Sequence, residues 1–176
     1  MCGIIGIASN KPVSMNIINS LKKLEYRGYD SAGLATLDKD EISEKKCSGR
    51  VEELEKILFK TPSDGHLGIG HVRWATHGIP NIVNAHPHSS EVVSVVHNGI
   101  IENSDELKKK LELKGLKFKS QTDTEVITLL ITEALKDNKP LESVFNTLKQ
   151  LKGSFALGII FKNYKNIIIG ARRGSP

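Results

Sequence analysis

At 176 residues, with 39% hydrophobic and 26% charged side chains, the chain is long enough for one substantial core and short for two, so residues 1–176 read as a single globular domain. The net charge of +5 does not indicate nucleic acid. The lysines are interleaved with glutamates, as in Ser104-Asp105-Glu106-Leu107-Lys108-Lys109-Lys110-Leu111-Glu112, and with 5% aromatics no stacking platform lies beside them.

The expected elements alternate between the two periodicities. A strand over residues 2–9 is followed by a helix over 14–26, strands over 33–37 and 42–47, a helix over 51–60 and strands over 67–73 and 92–97. Helices over 104–114, 124–136 and 141–151 follow, then strands over 154–161 and 167–171. Asn103 with Glu106 and Thr122 with Glu125 have the spacing of capping boxes. Hairpin-like strand pairs set between helices predict an α+β fold with antiparallel sheets covered by helices. The last strand runs into Arg172-Arg173-Gly174-Ser175-Pro176 with no closing element, which reads as a truncated C-terminus. No run approaches the roughly 18 apolar residues of a membrane span, and no basic segment precedes the apolar start. Cys2 and Cys47 form neither a CxxC unit nor a disulfide framework. No membrane and a reducing, cytoplasmic setting are therefore expected, with Cys47 inert on a strand.

The most informative position is Cys2, in the opening Met1-Cys2-Gly3-Ile4-Ile5-Gly6. A small side chain after the initiator favours removal of Met1, which leaves Cys2 with a free α-amine beside its thiol. Reference pKa values of about 8.5 for a thiol and about 7.7–8.0 for an α-amine let the amine take the thiol proton near neutral pH. One residue then supplies nucleophile and base. The competing reading is a small buried hydrophobe.

Four further clusters sit at strand ends or in loops. Tyr26-Arg27-Gly28-Tyr29-Asp30-Ser31-Ala32-Gly33 carries more glycine and charge than a turn needs, although a plain turn remains an alternative. His71-Val72-Arg73-Trp74-Ala75-Thr76-His77-Gly78 holds the single tryptophan beside an arginine suited to a two-pronged carboxylate contact. In Asn84-Ala85-His86-Pro87-His88 the His-x-His spacing invites a metal, with His71, His77 and His97 as further ligands. No Cys, Asp or Glu stands at ligand spacing, so no metal or other cofactor is expected. His97-Asn98-Gly99-Ile100-Ile101-Glu102-Asn103 offers a side-chain amide and a glycine N–H for one oxyanion, against the alternative of a hairpin turn at Asn98-Gly99. Asp123, in Thr122-Asp123-Thr124-Glu125, is either a partner of the helix dipole or a carboxylate for a substrate ammonium. An arginine for a carboxylate, an aspartate for an ammonium, an oxyanion donor pair and a cysteine together describe a site for a free amino acid attacked at its side-chain carbonyl, and glutamine is the natural substrate.

Cys2-Gly3-Ile4-Ile5-Gly6, Leu24-Glu25-Tyr26-Arg27-Gly28-Tyr29-Asp30-Ser31-Ala32-Gly33 and the three clusters at 71–78, 84–88 and 96–103 resemble the class II glutamine amidotransferases. Tyr29 and Trp74 favour the glutaminase domain of the glucosamine-6-phosphate synthase branch (glutamine–fructose-6-phosphate aminotransferase, isomerising) over the amidophosphoribosyltransferase branch. The resemblance implies the four-layer αββα sandwich of the N-terminal nucleophile hydrolases. It implies Cys2 as nucleophile, Asn98 and the Gly99 N–H as oxyanion hole, and Arg73, Trp74, Thr76, His77 and Asp123 as substrate-binding residues, with Arg27 and His86 supporting. The implied partners are L-glutamine and, in a full-length and homodimeric enzyme, the sugar-phosphate isomerase domains with their fructose 6-phosphate site, which this chain lacks. A catalytically silent glutamine-binding fragment, a self-processing hydrolase and a metal-dependent hydrolase are the alternatives.

Overall fold

The computed structural model describes residues 2–74 and 79–175. Its elements are β1 (Gly3–Ala8), α1 (Ser14–Leu24) closing in a 3-10 turn (Glu25–Arg27), β2 (Ser31–Asp38), β3 (Glu41–Ser48), α2 (Val51–Lys60), β4 (Leu67–Arg73), β5 (His88–Ser89), β6 (Val93–Ile101), α3 (Ser104–Leu113), α4 (Asp123–Ala134), α5 (Pro140–Leu148), β7 (Gly153–Phe161) and β8 (Ile168–Arg173). Two four-stranded sheets form, one in the order β1-β4-β2-β3 and one in the order β5-β6-β7-β8, and all strand pairs are antiparallel.

The layering follows from the two-residue period of the strands. In β2, Ala32 and Leu34 face α1 and α2, in a cluster with Ile17, Leu21 and Leu54. Ala35 and Leu37 face the other sheet, with Ile69, Val96 and Ile160. In β7, Phe155, Leu157, Ile159 and Phe161 pack against Val126, Ile127, Ile131 and Val144 of the helices on the far side. Both sheets are thus buried on both faces, and the four-layer αββα sandwich results. A Cβ on Gly68 would lie 2.6 Å from Ile17 Cδ1, so the small residues of β4 let α1 sit close on its sheet.

Neither expected capping box forms. Thr122 and Asn103 make no side-chain cap to their helices. Thr122 Oγ1 bonds His88 Nε2 at 2.9 Å. Asn103 instead bridges to the segment before β7, donating to Gln150 O at 2.9 Å and accepting from Lys152 N at 2.8 Å. Glu125 folds back over the loop before α4 and accepts from the Lys119 and Ser120 backbone N–H groups. These buried or long-range partners outcompete the local cap. Cys47 lies buried on β3, with burial raising its thiol pKa. Among the described residues no helix is long and apolar enough to cross a membrane.

Candidate active site

Cys2 precedes β1, whose register pairs Gly3 with Val72 of β4. The thiol therefore lies beside the C-terminal end of β4. The Trp74 backbone N–H points at Cys2 Sγ, 3.3 Å away, and Trp74 O lies 3.6 Å from the same sulfur. As a thiol, Cys2 can donate to the carbonyl, and as a thiolate it can accept from the N–H, so the backbone of one residue, Trp74, serves both protonation states. The Cys2 carbonyl is held by Arg27 Nε at 2.9 Å and Asn98 Nδ2 at 3.1 Å. The residue is partly exposed, which excludes the buried-hydrophobe reading.

Asn98 and Gly99 lie inside β6, paired with Ala156 and Phe155 of β7, so the hairpin-turn alternative is overturned. Gly99 has φ +129, and a Cβ there would collide with the Ser154 carbonyl oxygen on β7. Only glycine admits both the conformation and the approach. An amide NH2 carries two protons, and Asn98 uses one on Cys2 O, which leaves the second for a ligand oxygen.

Arg73 ends β4 and is 4% exposed. Burial lowers its pKa, opposed by Cys2, Asp30 and Asp123, and a guanidinium remains cationic at any ordinary pH. Asp123 opens α4 and accepts the Ile101 N–H through Oδ2 at 2.8 Å. His97 Nδ1 lies 3.6 Å from its Oδ1. Cys2, Arg73, Trp74, Asn98, Gly99 and Asp123 line one pocket, together with His86, His97, Thr122 and Thr124. Its wall is a packed imidazole cluster, in which His86 stacks on His71 at 4.2 Å and meets His88 edge-on at 4.9 Å. Thr124 Oγ1 joins His86 Nε2 at 2.7 Å to His97 Nδ1 at 3.0 Å. Burial pushes His71 and His88 down to about 3 and His86 well below 6.5. These three rings are neutral at pH 7 and add no charge to the pocket wall.

The structure thus brings Cys2, Asn98, Gly99, Arg73, Trp74, Asp123 and His86 to one pocket, with Arg27 behind the Cys2 carbonyl. Thr76 and His77 lie outside the described residues. Trp74 is half-exposed, its ring edge-on to Tyr29 at 5.5 Å. Among the described residues no group of three or more His, Cys, Asp or Glu side chains is placed to hold a metal ion. Thr122 and Thr124 also line the pocket, and sequence reasoning missed them because they flank Asp123 as ordinary helix-start residues. A similar disguise hides Gly28, where a Cβ would lie 2.5 Å from Arg73 C and 2.6 Å from Trp74 N.

A family model for the glutamine amidotransferase domain matches residues 76–173. The glutamine–fructose-6-phosphate aminotransferases (isomerizing) of Mesorhizobium japonicum and Bradyrhizobium diazoefficiens are each 51% identical over 177 residues. Those alignments cover 100% of this chain and 29% of each relative, so the chain spans less than a third of the length of these relatives. Among solved structures, the glutamine phosphoribosylpyrophosphate amidotransferase of B. subtilis superposes with a TM-score of 0.84 at 27% identity, covering 98% of this chain and 37% of that one. A glutamine aminotransferase class-II domain protein from Silicibacter pomeroyi shares the fold at a TM-score of 0.65 and 14% identity, covering 100% of this chain and 78% of the other.

Proposed function

We propose the function of this chain from one premise: it belongs to the glutamine amidotransferase domain family. It hydrolyses L-glutamine to glutamate and ammonia through a thioester on Cys2. One observation carries this reading: the Cys2 sulfur shares its pocket with an amide donor, a buried cation and a carboxylate, namely Asn98, Arg73 and Asp123.

The α-amine of Cys2, freed by removal of Met1, accepts the thiol proton through a water while the sulfur attacks the carboxamide carbon. The carbonyl oxygen becomes an oxyanion held by the second Asn98 amide proton and the Gly99 N–H. The C–N bond breaks, the proton passes to the departing nitrogen, and ammonia leaves. Water then cleaves the thioester, releasing glutamate and restoring the thiol. Arg73 grips the α-carboxylate in a charge-assisted pair and Asp123 the α-ammonium. Thr76 and His77 help to hold the amino acid, and Trp74 gates ammonia passage. Arg27 fixes the Cys2 carbonyl, and His86 supports the pocket wall. The whole of residues 1–176 is the glutaminase domain.

Within a chain as long as the aminotransferase relatives, this domain is the glutaminase half of a cytoplasmic, homodimeric glucosamine-6-phosphate synthase. Its ammonia converts fructose 6-phosphate to glucosamine 6-phosphate on isomerase domains. Identity of 51% to those aminotransferases, against 27% to the phosphoribosyl enzyme, favours this branch, and residues 1–176 alone should make no amino sugar.

The test is intact mass before and after incubation with a glutamine-analogue electrophile, together with glutamate release by wild type, Cys2→Ala and Asn98→Ala. One adduct on a chain lacking Met1, no turnover by Cys2→Ala and a loss of roughly 10²–10³ in kcat for Asn98→Ala are expected. Turnover by Cys2→Ala would end the proposal.

A further inference from the structure

We propose that His71 is a positioning residue for the oxyanion hole, holding the Asn98 carboxamide with its oxygen away from Cys2 and its NH2 towards it. The inference rests on the reading of Asn98 as an oxyanion donor and extends it to a residue that touches neither substrate nor nucleophile.

The placement follows from strand period. Leu67 and Ile69 of β4 face the gap between the sheets, so His71, two positions on, faces it too. On β6, Val96 faces the same gap, and Asn98 follows two positions later. The two side chains meet there, and His71 is fully buried.

The hydrogen bonding then sets the amide's direction. His71 Nε2 lies 3.1 Å from His97 O and 3.0 Å from Asn98 Oδ1. A backbone carbonyl can only accept, so Nε2 must carry the proton, whatever direction the amide takes. The Asn98 atom facing that N–H must then be its oxygen. On the opposite side, Cys2 O is also a pure acceptor and lies 3.1 Å from Nδ2. Two acceptors of fixed character, His97 O acting through the ring and Cys2 O acting directly, therefore select the same rotamer.

The ring has no cheap alternative. Its Nδ1 has no hydrogen-bond partner, so moving the proton there would bury an orphan N–H and turn a lone pair towards two oxygens. Stacking on His86 holds the ring plane, and burial keeps the ring neutral, so it holds a single proton. A flipped Asn98 would present its carbonyl dipole to the developing oxyanion, replacing attraction by repulsion.

The experiment measures kcat and KM for glutamine in wild type, His71→Leu, His71→Gln, Asn98→Ala and the double variant His71→Leu/Asn98→Ala. Leucine removes the donor, whereas glutamine can return an N–H towards Asn98. Expected are a fall in kcat of about 10- to 100-fold for His71→Leu with KM within about threefold, partial recovery in His71→Gln, and a double variant no slower than Asn98→Ala. A merely structural His71 would instead give losses that multiply in the double variant, and that result, or wild-type kcat in His71→Leu, overturns the proposal. A wild-type rate in Asn98→Ala would overturn the oxyanion reading and this proposal with it. A crippled Asn98→Ala beside an unimpaired His71→Leu would remove this proposal alone. Should the leucine variant not fold, 15N NMR of wild-type His71 decides the matter: a proton on Nε2 supports the proposal, and a proton on Nδ1 overturns it.

Discussion

The Trp74 backbone N–H stands 3.3 Å from Cys2 Sγ, and Gly28 makes that approach possible. A Cβ at position 28 would sit 2.6 Å from the same Trp74 nitrogen. Gly28 has φ 176, an extended conformation open to any residue, so the requirement is one of space.

Gly28→Ala should accordingly push the Arg73-Trp74 peptide off the sulfur while leaving the fold intact. Displacements near 1 Å cost about 10²-fold in rate, so kcat/KM for glutamine should fall by about that factor, with a cooperative thermal transition retained. A glutaminase assay beside a melting curve checks both, and an unchanged rate would refute the steric argument.

Asp123→Asn preserves an oxygen to accept the Ile101 N–H and removes the charge. Hydrogen bonds to charged groups contribute about 1.5–3 kcal/mol, so KM for glutamine should rise roughly 10- to 100-fold with kcat little altered. A fall in kcat at constant KM would instead move Asp123 from substrate binding to chemistry.

Acid should destabilise the fold through the imidazole cluster. His71 and His88 titrate at about 3 in the folded chain and His86 well below 6.5, whereas the unfolded chain protonates all three at about 6.5. The unfolded state then binds more protons, so this stability is complete above about pH 6.5 and is lost as the pH falls towards 3. Each ring contributes up to about 1.4 kcal/mol per pH unit. Urea midpoints measured from about pH 7.5 to about pH 4.5 should fall, and His88→Gln should flatten the slope by one proton. An unchanged slope in that variant would assign the acid lability to other groups.

Excess chelator should leave glutaminase activity unchanged. Loss of activity on chelation, restored by a divalent ion, would revive the metal-dependent alternative raised by the His86-x-His88 spacing.

Much of the local structure was legible because it depends on neighbours in the chain. Helix 51–60 and strand 67–73 form at their expected bounds, and the 33–47 hairpin pairs with only small extensions. Misreadings occur where a distant group decides. Helix 14–26 stops at Leu24 and tightens into a 3-10 turn. The strand beginning near residue 92 runs on to Ile101, because β7 supplies a partner for Asn98 and Gly99 that outweighs their turn propensity. The caps of α3 and α4 fail because Asn103 and Thr122 find partners far along the chain.

Residue chemistry is a property of the sequence alone: a cysteine next to the initiator, an arginine, an aspartate and an amide-glycine pair already implied amino-acid amide chemistry, while the order of the elements implied an α+β fold and the motif resemblance implied the four-layer sandwich. Which way the Asn98 amide points, and that His71, Gly28 and Thr124 stand behind the reactive groups, was decided only in three dimensions. Those facts depend on distances across the gap between two sheets and on which buried atoms have no other partner, and neither quantity is written in the order of residues.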